Sequence, residues 1–149
     1  MEAKIYYLHR LGKKTLPDGS QVNIKGVPAV TICIGRDHNN NFFRGISVAA
    51  EHEPLGIIKK EGRNRAKGRM TQAFRRKTSL DDFENSSAMK QFSKVFFEGP
   101  GIDNPKKYSN DLFDSPFLVS AFIEPTPFEL TLFEDDRKEV KKNGHCVCD

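Results

Sequence analysis

The chain has no tryptophan and only three cysteines in 149 residues, and each shortage excludes something. Cys33, Cys146 and Cys148 form no even disulfide framework, and a chain of this length can bury a core without one. Cys33 lies in the apolar run AVTICIG and reads as a small buried hydrophobe, so reduced thiols in a reducing compartment are expected. Long apolar runs are missing too. Nothing approaches the roughly 18 consecutive apolar residues of a membrane span. The opening MEAKIYYLHR lacks a basic-then-apolar leader, so the expected location is the cytoplasm, away from membranes.

The sequence is equally short of catalytic signatures. There is no GxSxG elbow, no HExxH, no Walker loop and no GxGxxG. His9, His38, His52 and His145 are isolated, and none begins the His-x-Ser/Thr pair of two-histidine phosphoesterases. Asp136 and Lys138 have the Asp-x-Lys spacing of a metal-dependent nuclease, but nothing ties them to Pro17-Asp18. The tail GHCVCD gathers His145, Cys146 and Cys148, whereas structural zinc wants four ligands in paired clusters. The expectation is a non-enzyme with no metal and no cofactor, and a frayed tail.

What is present is a soluble composition, 37% hydrophobic and 30% charged, with twelve phenylalanines to build the core of one domain over residues 1–149. The formal charge of +4 is unevenly distributed. From Lys59 to Lys77 there are nine basic residues and one acid, and the remainder of the chain carries a small negative excess. Such focusing of charge is how a site attracts an anion.

Along the chain, AKIYYLHRLG alternates as a strand apolar on both faces, LPDGS is a turn, and QVNIKG returns as a short strand. VPAVTICIGR and FFRGISVAA alternate with period two across the polar link DHNNN, which predicts an antiparallel hairpin. After EHEPLG the period becomes helical, and Gly62, Ala66, Met70, Ala73 and Phe74 form one stripe that should pack on the sheet. A second helix is expected from Ser86-Ser87 through Met89, Phe92 and Phe96, stopped by GPG. Residues 100–114 read as a long loop and PFLVSAFIE as a further buried strand. TPFELTLFEDDRKEVKKNG starts with Thr126 as cap, Pro127 in the first turn and Glu129 completing a capping box, with Leu130, Phe133 and Val140 at helical spacing. A strand over Phe128, Leu130 and Leu132 is the rival. The fold expected is α+β, an antiparallel sheet of three to five strands with two or three helices packed on one face.

On the first helix Arg65, Arg69, Gln72 and Arg76 fall at i, i+4, i+7 and i+11, one stripe beside the apolar face, and Arg63 and Lys67 flank its other border. Arginine's planar fork matches phosphate oxygens, so such a ladder can follow a phosphorylated ligand. The bland alternative is a solvated face, but such a face would interleave Glu with Lys, and acids are nearly absent here. Gly62 and Gly68 each cost the helix about 1 kcal/mol relative to Ala, which close approach of a sheet, a partner or a ligand would offset. Arg44, beside Phe42 and Phe43, is a further candidate: an exposed Phe could stack a base while Arg44 holds its phosphate. The competing reading places both phenylalanines in the core.

The hairpin ending in RGISVAA and the following KKEGRNRAKGRMTQAF have the form Gly-Arg-x-x-Ala-x-Gly-Arg-x-x-x-Ala over Gly62, Arg63, Ala66, Gly68, Arg69 and Ala73. This resembles small phage-encoded proteins with a β-hairpin feeding a GRxxAxGRxxxA helix, among them the Thoeris anti-defence sponges. The resemblance covers residues 30–76, and the C-terminal third does not share it. It implies a phage protein in the host cytoplasm that sequesters a cyclic nucleotide signal without cleaving it, acting as a homo-oligomer. Two alternatives remain open: a nucleic-acid-binding protein contacting phosphates through residues 59–77, and a protein–protein inhibitor of a host factor.

Overall fold

A computed structural model describes residues 1–48, 55–78, 102–103, 107–108 and 119–134, with helix side chains from residue 59 onward. Four strands form one antiparallel sheet in the order β1 (Glu2–Thr15), β2 (Gln21–Arg36), β3 (Phe42–Val48) and β4 (Val119–Ile123). Helix α1 (Leu55–Arg76) follows β3, and a short helix α2 (127–134) follows β4. The α+β class is as expected from sequence.

Polar side chains close both hairpins. In the first turn the Asp18 carboxylate accepts from the amide and hydroxyl of Ser20, and Gly19 takes φ +88°. In the second, Asp37 accepts from the amides of Asn39 and Asn41, both at 2.9 Å, and Asn40 takes φ 63°, a region asparagine tolerates. The two strands expected on either side of Gly26 are one continuous strand, β2. Pro28 fits inside it because the register with β1 is irregular there and β3 pairs only from Val30 onward. On the Gln21 side of Val30 the β1–β2 ribbon therefore continues as two strands alone.

The placement of the helices differs from the expectation of a single covered face. Neighbouring residues on a strand point to opposite faces. The α1 side receives Thr31, Gly35, Phe43 and Gly45: a Cβ on Gly45 would meet backbone of Ala66 and Met70, and one on Gly35 would lie 2.6 Å from Met70 Sδ. The other face receives Tyr6, Phe42 and Arg44, which meet Phe128, Phe133 and Glu129 of α2. The described helices thus sandwich the sheet, and both Phe42 and Phe43 are covered. Phe43 is fully buried and Phe42 half-buried, so the core reading of this pair holds.

The capping box of α2 forms as expected: Thr126 N–H donates to Glu129 Oε1 at 2.9 Å, and Glu129 N–H donates to Thr126 Oγ1 at 3.2 Å. The inward face is set by Glu129 and Phe133, while Leu130 is exposed. Among the described residues, no helix is long and apolar enough to cross a membrane. The expected helix at 86–96, most of the 100–114 loop, the Glu51–His52–Glu53 link and the His145/Cys146/Cys148 tail lie outside the described residues.

Candidate functional site

Helix α1 docks through small side chains. Gly62 sits where a Cβ would come within 2.6 Å of Thr31 Oγ1, and Ala66, Met70 and Ala73 are buried behind it. Three positions of the Gly-Arg-x-x-Ala motif, Gly62, Ala66 and Ala73, are therefore explained by helix–sheet contact. Gly68 is different. Among the described residues nothing lies within 4 Å of its would-be Cβ, so none of their packing offsets its cost to the helix. Replacing Gly68 by alanine is expected to stabilise the fold by up to about 1 kcal/mol, read as a higher melting temperature. A lower melting temperature would show that this face is covered.

The arginine ladder divides into residues with separate roles. Arg69 is half-buried and donates through Nη1 to the Ile46 carbonyl at 2.7 Å, tying α1 to β3. Burial, with the neighbouring charge of Arg65 second, lowers its pKa from the usual arginine value. Arg65 is exposed and pairs with Glu61 at 3.1 Å, a surface i,i+4 contact of little energetic weight. Arg63 is exposed on the far border. Lys67, half-buried Gln72 and exposed Arg76 line one open groove of about 580 Å³, floored by Gly68. Asn64, Thr71 and Arg75 complete it. Those three were not singled out from sequence, although Asn64, Gly68, Thr71 and Arg75 repeat at i, i+4, i+7 and i+11 opposite the buried stripe.

Arg44 does not join this surface. Its side chain points to the opposite face of the sheet, where Nε donates to Glu129 Oε2 at 2.9 Å and Nη2 donates to Oε1. Tyr6 OH donates to the same carboxylate at 2.9 Å, and Glu129 is fully inaccessible. Burial first, and the Glu129 charge second, hold the Tyr6 hydroxyl well above the usual tyrosine pKa. Assigning Arg44 to a ligand is thus corrected: strand alternation carries it away from α1, and a buried carboxylate occupies its fork.

Among the described residues, the ion pair between Arg65 and Glu61 is the single one on α1. Lys59, Lys60, Arg63, Lys67, Arg75, Arg76 and Lys77 are all exposed. From Lys59 to Lys77 they extend over about 27 Å of helix, at 1.5 Å per residue. The cations are splayed along an open surface. They do not converge on one point. No protein-family model, curated protein or solved structure matches the chain.

Proposed function

We propose that this chain binds a polyphosphate backbone, that of a nucleic acid, through the outward face of α1 and does so without altering it. The observation that supports this reading is the splay: an enclosed nucleotide site would gather its cations around one or two phosphates, whereas these span about 27 Å. An extended polyanion can meet several of them at once and releases counterions from each phosphate it places there. These cations are exposed and, Arg65 aside, have no ion pair among the described residues, which suits them to follow such a ligand.

The groove over Gly68 favours a second reading, capture of a small nucleotide, and this is the reading that the motif resemblance implies. A phage counter-defence role would then follow from withholding the nucleotide from its receptor. The two differ in salt dependence. An extended strand contacting six or more phosphates loses roughly 10³-fold or more in affinity between 50 and 200 mM salt, whereas one or two phosphates give a shallow slope.

The test is a triple charge reversal, Lys67→Glu with Arg75→Glu and Arg76→Glu, assayed by anisotropy with a labelled 20-nucleotide strand. Affinity at 50 mM salt is expected to fall about a hundredfold or more. The fold should persist, since exposed substitutions change stability by about 0.5 kcal/mol or less each. Unchanged affinity in the triple variant would overturn the reading, as would a wild type that binds no polyanion.

A further inference from the structure

Three non-glycine residues among those described have positive φ: Asn40, Lys77 and Phe122. Asn40 belongs to an Asx-closed turn and is ordinary there. The other two are not ordinary. Lys77, at φ 57°, closes α1 by donating its N–H to the Ala73 carbonyl at 2.8 Å, a place usually filled by Gly or Asn. Phe122, at φ 53°, is a bulky residue in a region bulky residues avoid.

Though 45 positions apart in sequence, both converge on Phe43. The Phe122 ring centroid lies 5.3 Å from that of Phe43, and Lys77 Nζ lies 4.7 Å from it and 3.7 Å from the Phe74 centroid. The local pairing shows how Phe122 reaches this side. Phe42 pairs with Ile123 and Phe43 with Ala121, so Phe122 is the extra residue of a bulge, opposite nothing on β3. Bulges of this kind re-aim a side chain. Phe43 is completely buried, whereas Phe122 keeps 55% of its surface exposed. A strained backbone thus holds an aromatic ring, much of its surface in solvent, against Phe43, the same core ring that the Lys77 ammonium covers. Exposed Arg75 and Arg76 precede Lys77 in the chain.

We infer that Phe122 and Lys77 form a nucleotide subsite, in which an unpaired base stacks on the exposed Phe122 ring while Lys77 and Arg76 hold its phosphate. This rests on the phosphate-binding reading of α1 and specifies its ligand: a nucleotide whose base is free to stack, either a link of a single strand or a free nucleotide. A base in a duplex has both faces covered and does not fit. A helix C-terminus alone repels anions, carrying about half a negative charge, but three consecutive cations from Arg75 to Lys77 outweigh it. Strain of this kind persists where the surroundings over-determine it, and it concentrates at ligand sites.

The absence of tryptophan makes a direct readout available, because Phe122→Trp introduces a single indole fluorophore at the subsite. Its emission is expected to be quenched on titration with oligothymidylate of 20 nucleotides, with affinity retained. Phe122→Gly relieves the backbone strain and removes the ring, so it should fold and bind the same strand about 5- to 150-fold more weakly. Its affinity for a 20-base-pair duplex should not change. Competition by AMP or cyclic di-AMP identifies a free nucleotide as the source of the base; binding confined to oligomers identifies a strand. Unaltered strand binding by Phe122→Gly, unquenched emission from bound Phe122→Trp, or a preference for duplex would overturn the subsite. If the Lys67/Arg75/Arg76 variant still loses binding, the phosphate surface stands without it. A wild type that binds neither strand, duplex nor nucleotide sinks both.

Discussion

Replacing Glu129 by alanine is expected to cost about 3–5 kcal/mol, a large part of the roughly 5–15 kcal/mol that ordinarily holds a domain folded. The carboxylate is fully buried and accepts from Tyr6 OH, from two nitrogens of Arg44 and from the Thr126 amide. Deleting it strands the Arg44 guanidinium, which is only 11% exposed, in a site built for a charge pair. It also removes one acceptor from each of three chain segments: β1, β3 and the start of α2. The loss should therefore exceed that of the capping box alone, about 1 kcal/mol. Urea denaturation with matched m-values gives the measurement. A double replacement, Arg44→Met with Glu129→Leu, should recover much of the loss, because it leaves no orphaned charge. A single Glu129→Ala variant within about 1 kcal/mol of wild type would mean that water reaches Arg44 and the network contributes little.

That network also marks where sequence reasoning stops. Local periodicities were legible: Asp18-Gly19 and Asp37 with its asparagines close the two turns, the alternation around Ile32 and Ile46 gives the central pair, and the wheel position of Met70 gives the docking face. The Thr126/Glu129 box was legible as a cap. Its second role was not. Arg44 and Glu129 meet across 85 residues, and no local pattern announces a long-range ion pair. The same cause misplaced Arg44: the core reading of Phe42 and Phe43 beside it is the stronger one, but a stacking platform fits the same residues, and only the cover on both faces of the sheet decides between them. For α1 the wheel separated the buried from the exposed residues correctly. It could not show that Arg69 reaches back to the Ile46 carbonyl, because that bond depends on where β3 lies. Phe122 was hidden for another reason: a positive φ at a non-glycine residue has no sequence signature, and PFLVSAFIE reads as one unbroken buried strand across the bulge.

Replacing Gly45 by alanine is the second change with a large expected effect, and it tests the frame on which the phosphate-binding surface stands. The added Cβ would fall well inside contact distance of Ala66 O and Met70 N, with Arg69 C at 2.9 Å. All three are backbone atoms of α1, so no side-chain rotation relieves the overlap. The helix must lift as a unit. Lifting opens the Met70 contact over Gly35, pulls Arg69 from the Ile46 carbonyl 2.7 Å away, and exposes the buried Ala66 and Ala73. Overpacking ordinarily costs about 1–3 kcal/mol where side chains can adjust; with backbone on the other side, about 3 kcal/mol or more is expected. Thermal melting of Gly45→Ala beside Gly68→Ala makes the comparison sharp. The two substitutions are chemically identical, yet one adds a methyl group under the helix and the other adds it on the open side. The first should lower the melting temperature by many degrees and the second should raise it slightly. Equal small effects would mean that α1 does not rest on β3 at Gly45, and the outward face assigned to phosphate would have to be redrawn.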